Sequence, residues 1–111
     1  MKRARRIQFH RCNTEDADLI NAFGPHCHGR DEITAHTLAV ASSAKPKLSY
    51  KLTIAKEIAP GIILAIAVGI AEVLSGQPRA GRNELSQSVL LVKQGSEWKI
   101  RFFQSTPLVN R

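Results

Sequence analysis

The sequence is poor in the residues that announce most functions. Aromatic residues make up only 5% of it, which starves any surface built to stack on nucleobases. Two cysteines, Cys12 and Cys27, cannot make a disulfide framework, and no Cys-x-x-Cys is present. The most apolar run, Ile58 to Leu74, is broken by Pro60, Gly61, Gly69 and Glu72. Its uninterrupted part is far shorter than the roughly 20 residues a membrane helix needs, so it reads as a buried strand. Ile7-Gln8-Phe9-His10-Arg11 follows the first basic residues and is not a signal-peptide core. These absences lead to the expectation of a cytoplasmic chain with no membrane association. There is no Gly-x-Ser-x-Gly, and the segment holding Gly76 and Gly81 leads into a strand and not a helix. A nucleophile elbow and a phosphate loop are thereby excluded.

What is present is one domain's worth of chain: 111 residues, 43% hydrophobic and 23% charged. The net charge of +7 is unevenly placed. Lys2, Arg3, Arg5, Arg6 and Arg11 form a basic arm, while the rest is nearly balanced. Residues 1–13 are therefore read as an arm and 14–111 as a single domain. A solvated terminus accounts for such an arm, and nucleic-acid binding is not expected.

Strand chemistry dominates the domain. Asp16 to Phe23 alternates as a short strand, and Gly24-Pro25 turns the chain. Arg30-Asp31-Glu32 opens a helix with acids in its first turn, where they suit the macrodipole. Its stripe is Ile33, Thr37, Val40 and Ala44, and Pro46 stops it. Leu48, Tyr50, Leu52 and Ile54 then mark a half-buried strand, with Pro60-Gly61 as the hairpin turn. From Ile62 to Ala71 both faces are apolar, one large and one small, which predicts a strand with neighbours on both sides. A polar loop over 75–83, a strand from Glu84 to Lys93, a Gly95-Ser96 turn and a strand from Glu97 to Thr106 complete a meander. The expected class is α+β with a curved antiparallel sheet.

The chemistry on offer is sparse. His26-Cys27-His28 is read as a loop ahead of the helix. A zinc site normally takes four ligands from spaced pairs, and only His10, His36 and Cys12 suggest themselves as partners, so no metal is expected. Glu15, Asp16 and Asp18 are read as a solvated strand entry. His36 is read as a structural histidine within the helix.

Two segments resemble a known family. They are Thr14-Glu15-Asp16-Ala17-Asp18-Leu19-Ile20-Asn21-Ala22-Phe23-Gly24, followed by Gly29-Arg30-Asp31-Glu32-Ile33, and Ser88 to Lys93 followed by Trp98-Lys99-Ile100-Arg101-Phe102-Phe103-Gln104-Ser105-Thr106-Pro107. Together they are similar to the SnoaL-like members of the nuclear transport factor 2-like superfamily, and to its SgcJ/EcaC-type group in particular. The resemblance implies a cystatin-like cone, in which a bent sheet closes on helices around a pocket, and subunits that dimerise through the outer sheet face. This chain departs from the pattern by having only residues 1–13 where two helices are usual. That shortening implies an exposed apolar surface, and hence a homodimer or higher oligomer.

The resemblance also places the general base of ketosteroid isomerases on Asn21 and their second acid near Gln87 to Val89. None of these is a carboxylic acid, so steroid-type isomerisation is disfavoured and no catalytic residue is assigned; any turnover is expected to be lyase- or isomerase-like. The expected site is a pocket for a small, largely apolar ligand, lined by Asn21, Phe23, Tyr50, Gln87, Trp98, Phe102 and Gln104, with no cofactor. In that expectation Trp98, Ile100, Phe102 and Gln104 share one face of the last strand. The competing expectation is a filled cone that serves as a protein-interaction module.

Overall fold

The computed structural model describes residues 10–22, 26–43, 47–73, 75–76 and 80–108. The chain runs β1 (Asn13–Ile20), β2 (His26–His28), α1 (Arg30–Ser43), β3 (Lys47–Ala59), β4 (Ile62–Val73), β5 (Gly81–Gln94) and β6 (Glu97–Pro107). The six strands form one sheet in the order β2-β1-β6-β5-β4-β3. β3 to β6 make the expected antiparallel meander. β1 lies parallel to β6, so the sheet is mixed where an antiparallel one was expected.

Three local readings are corrected. β1 begins earlier than Asp16 because Asn13 and Thr14, although polar, are 3% and 2% exposed, and Asn13 pairs with Ile100. Hydrophobic alternation cannot reveal buried polar strand residues. His26 to His28 is a strand, not a loop; three residues are too few for a periodic signal, and its pairing to β1 defines it. β3 is mostly exposed, not half-buried: it is an edge strand, with Leu48, Tyr50, Leu52 and Ile54 between 51% and 61% exposed. Phe23, Ala44 and Pro46 lie outside the described residues. So does most of the basic arm, although His10 and Arg11 are helical and lead into β1.

The helix covers one end of the sheet. Gly29, at φ +86°, turns the chain from β2 into α1; its N–H donates to the Ala17 carbonyl (2.7 Å) and its carbonyl accepts from Ile33 (3.0 Å). A left-handed residue suits glycine because a side chain would be strained there. From that start Ile33 drops between the strands and packs with Ala17 and Cys27, all three at most 3% exposed, with Leu19 against them. Thr34 is also buried and returns its hydroxyl to the Arg30 carbonyl at 2.7 Å. The molecule measures 44 × 37 × 23 Å, a slab one sheet and one helix thick.

The strand pairing assigns every residue to a face, since directly opposed residues project to the same side. On the helix-bearing face one row runs Ser105, Gln87, Ala67, Leu52, and the next runs Pro107, Leu85, Gly69, Tyr50. The outer face carries Phe102, Leu90, Leu64 and Lys56 in a corresponding row. β4 is flanked on both sides, as its sequence predicts, but its large outer residues Leu64 and Ile66 remain 37% and 36% exposed.

Candidate functional site

The expected pocket residues divide between the two faces. A bulge in β6 is the reason. Leu90 pairs with Phe102 but Leu91 pairs with Ile100, so Arg101 is an extra residue and the alternation reverses there. Trp98 and Ile100 therefore share the helix-bearing face with Gln87, while Phe102 and Gln104 lie on the outer face. A bulge leaves no mark in a simple odd–even count, and the expectation of one shared face fails for that reason. Of the expected residues, Asn21, Tyr50, Gln87 and Trp98 belong to the helix side, with Phe23 outside the described residues.

On that side the polar groups engage one another. Asn21 follows the end of β1, and its Nδ2 donates to Nε2 of His36 on α1 (3.1 Å). His36 thus belongs with Asn21. The Gln87 amide, 4% exposed, donates to the Ser105 hydroxyl at 3.2 Å. The small-residue face of β4 makes room for it: a methyl group built on Gly69 would lie 2.8 Å from the Gln87 amide atoms. Close packing is what the glycine serves. Beyond this pair, Leu48, Tyr50 and Leu52 continue the same face at 53%, 61% and 61% exposure. Desolvation nevertheless raises the Tyr50 phenol above its ordinary value.

A second cluster occupies the outer face at the opposite edge of the sheet. Asp18 on β1 sits opposite His28 on β2, and Ile20 sits opposite His26, so the two histidines and the aspartate share a face. His28 reaches the Asp18 Oδ1 with its near nitrogen, Nδ1 (2.7 Å). His26 comes from the diagonal position and reaches the same oxygen with its far nitrogen, Nε2 (2.8 Å). The bulge that reverses β6 also turns Arg101 to this face, where Nη1 donates to the Asp18 Oδ2 at 3.0 Å and Nε lies 3.5 Å from Asp16. His28, His26 and Arg101 together hold the Asp18 carboxyl far below the usual carboxylate range. Asp16 is lowered chiefly by the Thr14 hydroxyl, which donates to it at 2.9 Å.

Beside His28 is an open hollow of about 380 Å³, lined by Glu15, His28, Gly29, Arg30, Asp31 and Glu32. Cys27 lies between the two histidines in sequence but points to the core, where burial pushes its thiol up and disfavours the reactive thiolate. Sequence reasoning missed this cluster by looking for partners among histidines and cysteines. The available signal was His-x-His within hairpin distance of Asp18.

No protein-family model matches the sequence, and no curated protein matches it significantly. Solved structures do match in fold. An uncharacterised protein with a cystatin-like fold from Caulobacter vibrioides superposes with a TM-score of 0.80 at 23% identity, over 96% of this chain and 78% of that one. A ketosteroid isomerase-like protein from Erwinia carotovora atroseptica gives 0.81 at 14% identity, over 97% and 85%. A protein with a ketosteroid isomerase-like fold from Catenulispora acidiphila, solved in complex with trimethylamine, gives 0.61 at 18%, over 86% and 69%. The chain has the cystatin-like, nuclear transport factor 2-like fold that the sequence resemblance implies. Among the described residues no helix is long and apolar enough to cross a membrane.

Proposed function

We propose that the protein is a small-molecule-binding homo-oligomer whose helix-bearing face takes a small, largely apolar ligand. The observation that carries this is the open run of Leu48, Tyr50 and Leu52, 53–61% exposed, beside the buried Gln87–Ser105 pair. An apolar surface edged by a few fixed polar groups is how small-ligand sites are built. Neighbours of the same fold include a ketosteroid isomerase-like protein and one that holds trimethylamine, which supports a ligand-binding use of the scaffold.

The outer face supplies the surface for self-association. Ile54, Leu64 and Ile66 form an exposed apolar centre, and Lys47, Lys51, Lys56, Glu72 and Glu84 stand on the same face around it. An apolar centre with a charged rim of both signs suits two copies related by a two-fold axis. Lysines along the edge strand discourage strand-to-strand aggregation.

No ketosteroid isomerase-type reaction is proposed. On the family resemblance the two acid positions fall on Asn21 and near Gln87 to Val89, and none of these residues carries a carboxyl group. A second reading, a protein-interaction module, is favoured by the mutual engagement of Asn21 with His36 and of Gln87 with Ser105, which leaves these groups committed to the protein.

Native mass spectrometry of freshly purified protein, paired with anilinonaphthalene sulfonate fluorescence, tests the ligand reading. The expected result is a discrete small adduct, or saturable dye binding, that Leu52→Asp abolishes and Gln104→Leu leaves intact, since Gln104 is on the other face. No adduct, together with dye binding indifferent to Leu52→Asp, would favour the interaction module.

A further inference from the structure

We propose that Asp18, His26 and His28 form a binding site for a divalent transition-metal ion of the zinc type. The site is on the outer face at the β1–β2 edge, separate from the ligand face, and the proposal stands without the ligand reading.

The donor set is the first argument. One ligand atom from each of the three residues lies within 4.8 Å of the others, and His26 Nε2 and His28 Nδ1 both meet Asp18 Oδ1. Two imidazoles and a carboxylate suit zinc, cobalt(II), nickel(II) or iron(II), and are unsuited to calcium or magnesium. An ion at about 2.0–2.2 Å from each donor requires donors roughly 3.3 Å apart, from tetrahedral geometry. The present spacings to Oδ1 are 2.7 and 2.8 Å, so admitting an ion calls for an opening of about half an ångström. The histidine side chains are 66% and 57% exposed and have the freedom to make it.

The backbone is the second argument. His26 and His28 alternate along a strand and so project to one side, while Asp18 faces them across the ladder; the fold itself, not side-chain chance, brings them together. Arg101 supplies the third. By holding Oδ2 at 3.0 Å it fixes the carboxylate with Oδ1 presented to both rings, the orienting function that outer-shell partners perform at metal centres. Its positive charge also opposes the ion, which argues for moderate affinity. Three protein ligands leave coordination positions open toward solvent and the hollow beside His28, the arrangement of a site that takes an exogenous ligand and not of a closed structural one.

The test uses metal-free, untagged, full-length protein titrated with zinc chloride against a chromophoric chelator, then with cobalt(II) followed by absorption. One equivalent per chain is expected, with cobalt bands lacking a thiolate charge-transfer component. His26→Ala and His28→Ala should each weaken binding at least about tenfold. His10→Ala should not, because His10 pairs with Asp31 and lies outside the set. Circular dichroism establishes that the variants remain folded, as substitutions of exposed side chains should. Absence of saturable binding would overturn the proposal. So would affinity unchanged in both histidine variants, or affinity lost only on Cys12→Ser.

Discussion

The two ends of the sheet are built to different standards. At the β1–β2 end, Ile33 of the helix packs on Ala17 and Cys27 at 0–3% exposure, and charged side chains on the outer side are engaged in a network around Asp18. At the β3–β4 end, Leu48, Tyr50, Leu52 and Ile54 stand 51–61% exposed, and each side of the strand has apolar residues in water. One end is finished by its own chain. The other exposes apolar surface among the described residues, and the proposal that another molecule covers it rests on the general ground that soluble monomers rarely leave such patches open. Stability should therefore depend on position in a lopsided way.

The largest effect is expected where the chain covers itself. Ile33→Ala removes the largest fully buried apolar side chain among the described residues and should cost about 2–5 kcal/mol in urea unfolding. Ile66→Glu, on the outer face, should leave the fold intact but weaken self-association at least about 100-fold, roughly 2.8 kcal/mol. A change of that size at Ile33 and none at Ile66 would break the comparison at its second half. Gly69→Ala drives a methyl into the buried Gln87 amide and should cost about 1–3 kcal/mol as overpacking. Its failure to destabilise would mean that Gln87 has somewhere else to go.

Acid dependence sharpens the comparison at the covered end. The folded Asp18 carboxyl is held below its unfolded value, near 3.9 for a free aspartate, so the folded state binds fewer protons in that range. Its contribution is complete above that pH and is lost as pH falls toward the folded value. Asp18→Asn should be less stable than wild type at neutral pH and should lose less stability on acidification below about pH 4. Parallel acid limbs in the two proteins would mean the network contributes nothing. The smallest effect, within about 0.5 kcal/mol, is expected for Leu48→Ala measured under monomeric conditions, since its side chain is already wet.

Much of the fold was legible in the sequence; the asymmetry was not, because alternation along β3 reads as half-buried whether or not anything packs on it. The hairpin at Pro60-Gly61, the two apolar faces of β4 and the helix opened by Arg30-Asp31-Glu32 follow from turn chemistry and periodicity, and the structure has all three. The fold resemblance also holds. The parallel pairing of β1 with β6 was not legible, because it starts at buried Asn13, which carries no apolar signal, and joins residues 84 to 87 positions apart in sequence. The site suffered more than the fold. One extra residue, Arg101, moved Phe102 and Gln104 away from Gln87 and at the same time completed the Asp18 cluster. His26 and His28 were visible from the start, but their partner is an aspartate that reads as a strand entry until β2 is seen to pair with β1.

Self-association is proposed for the outer face of the β3–β4 end, where a second copy of the chain would cover Ile54, Leu64 and Ile66. Light scattering of the full-length protein after size exclusion, at micromolar concentration, addresses it most directly. A mass of two chains or a higher even number is expected, falling to that of one chain on Ile66→Glu. A wild-type protein that runs as a well-behaved monomer would contradict it.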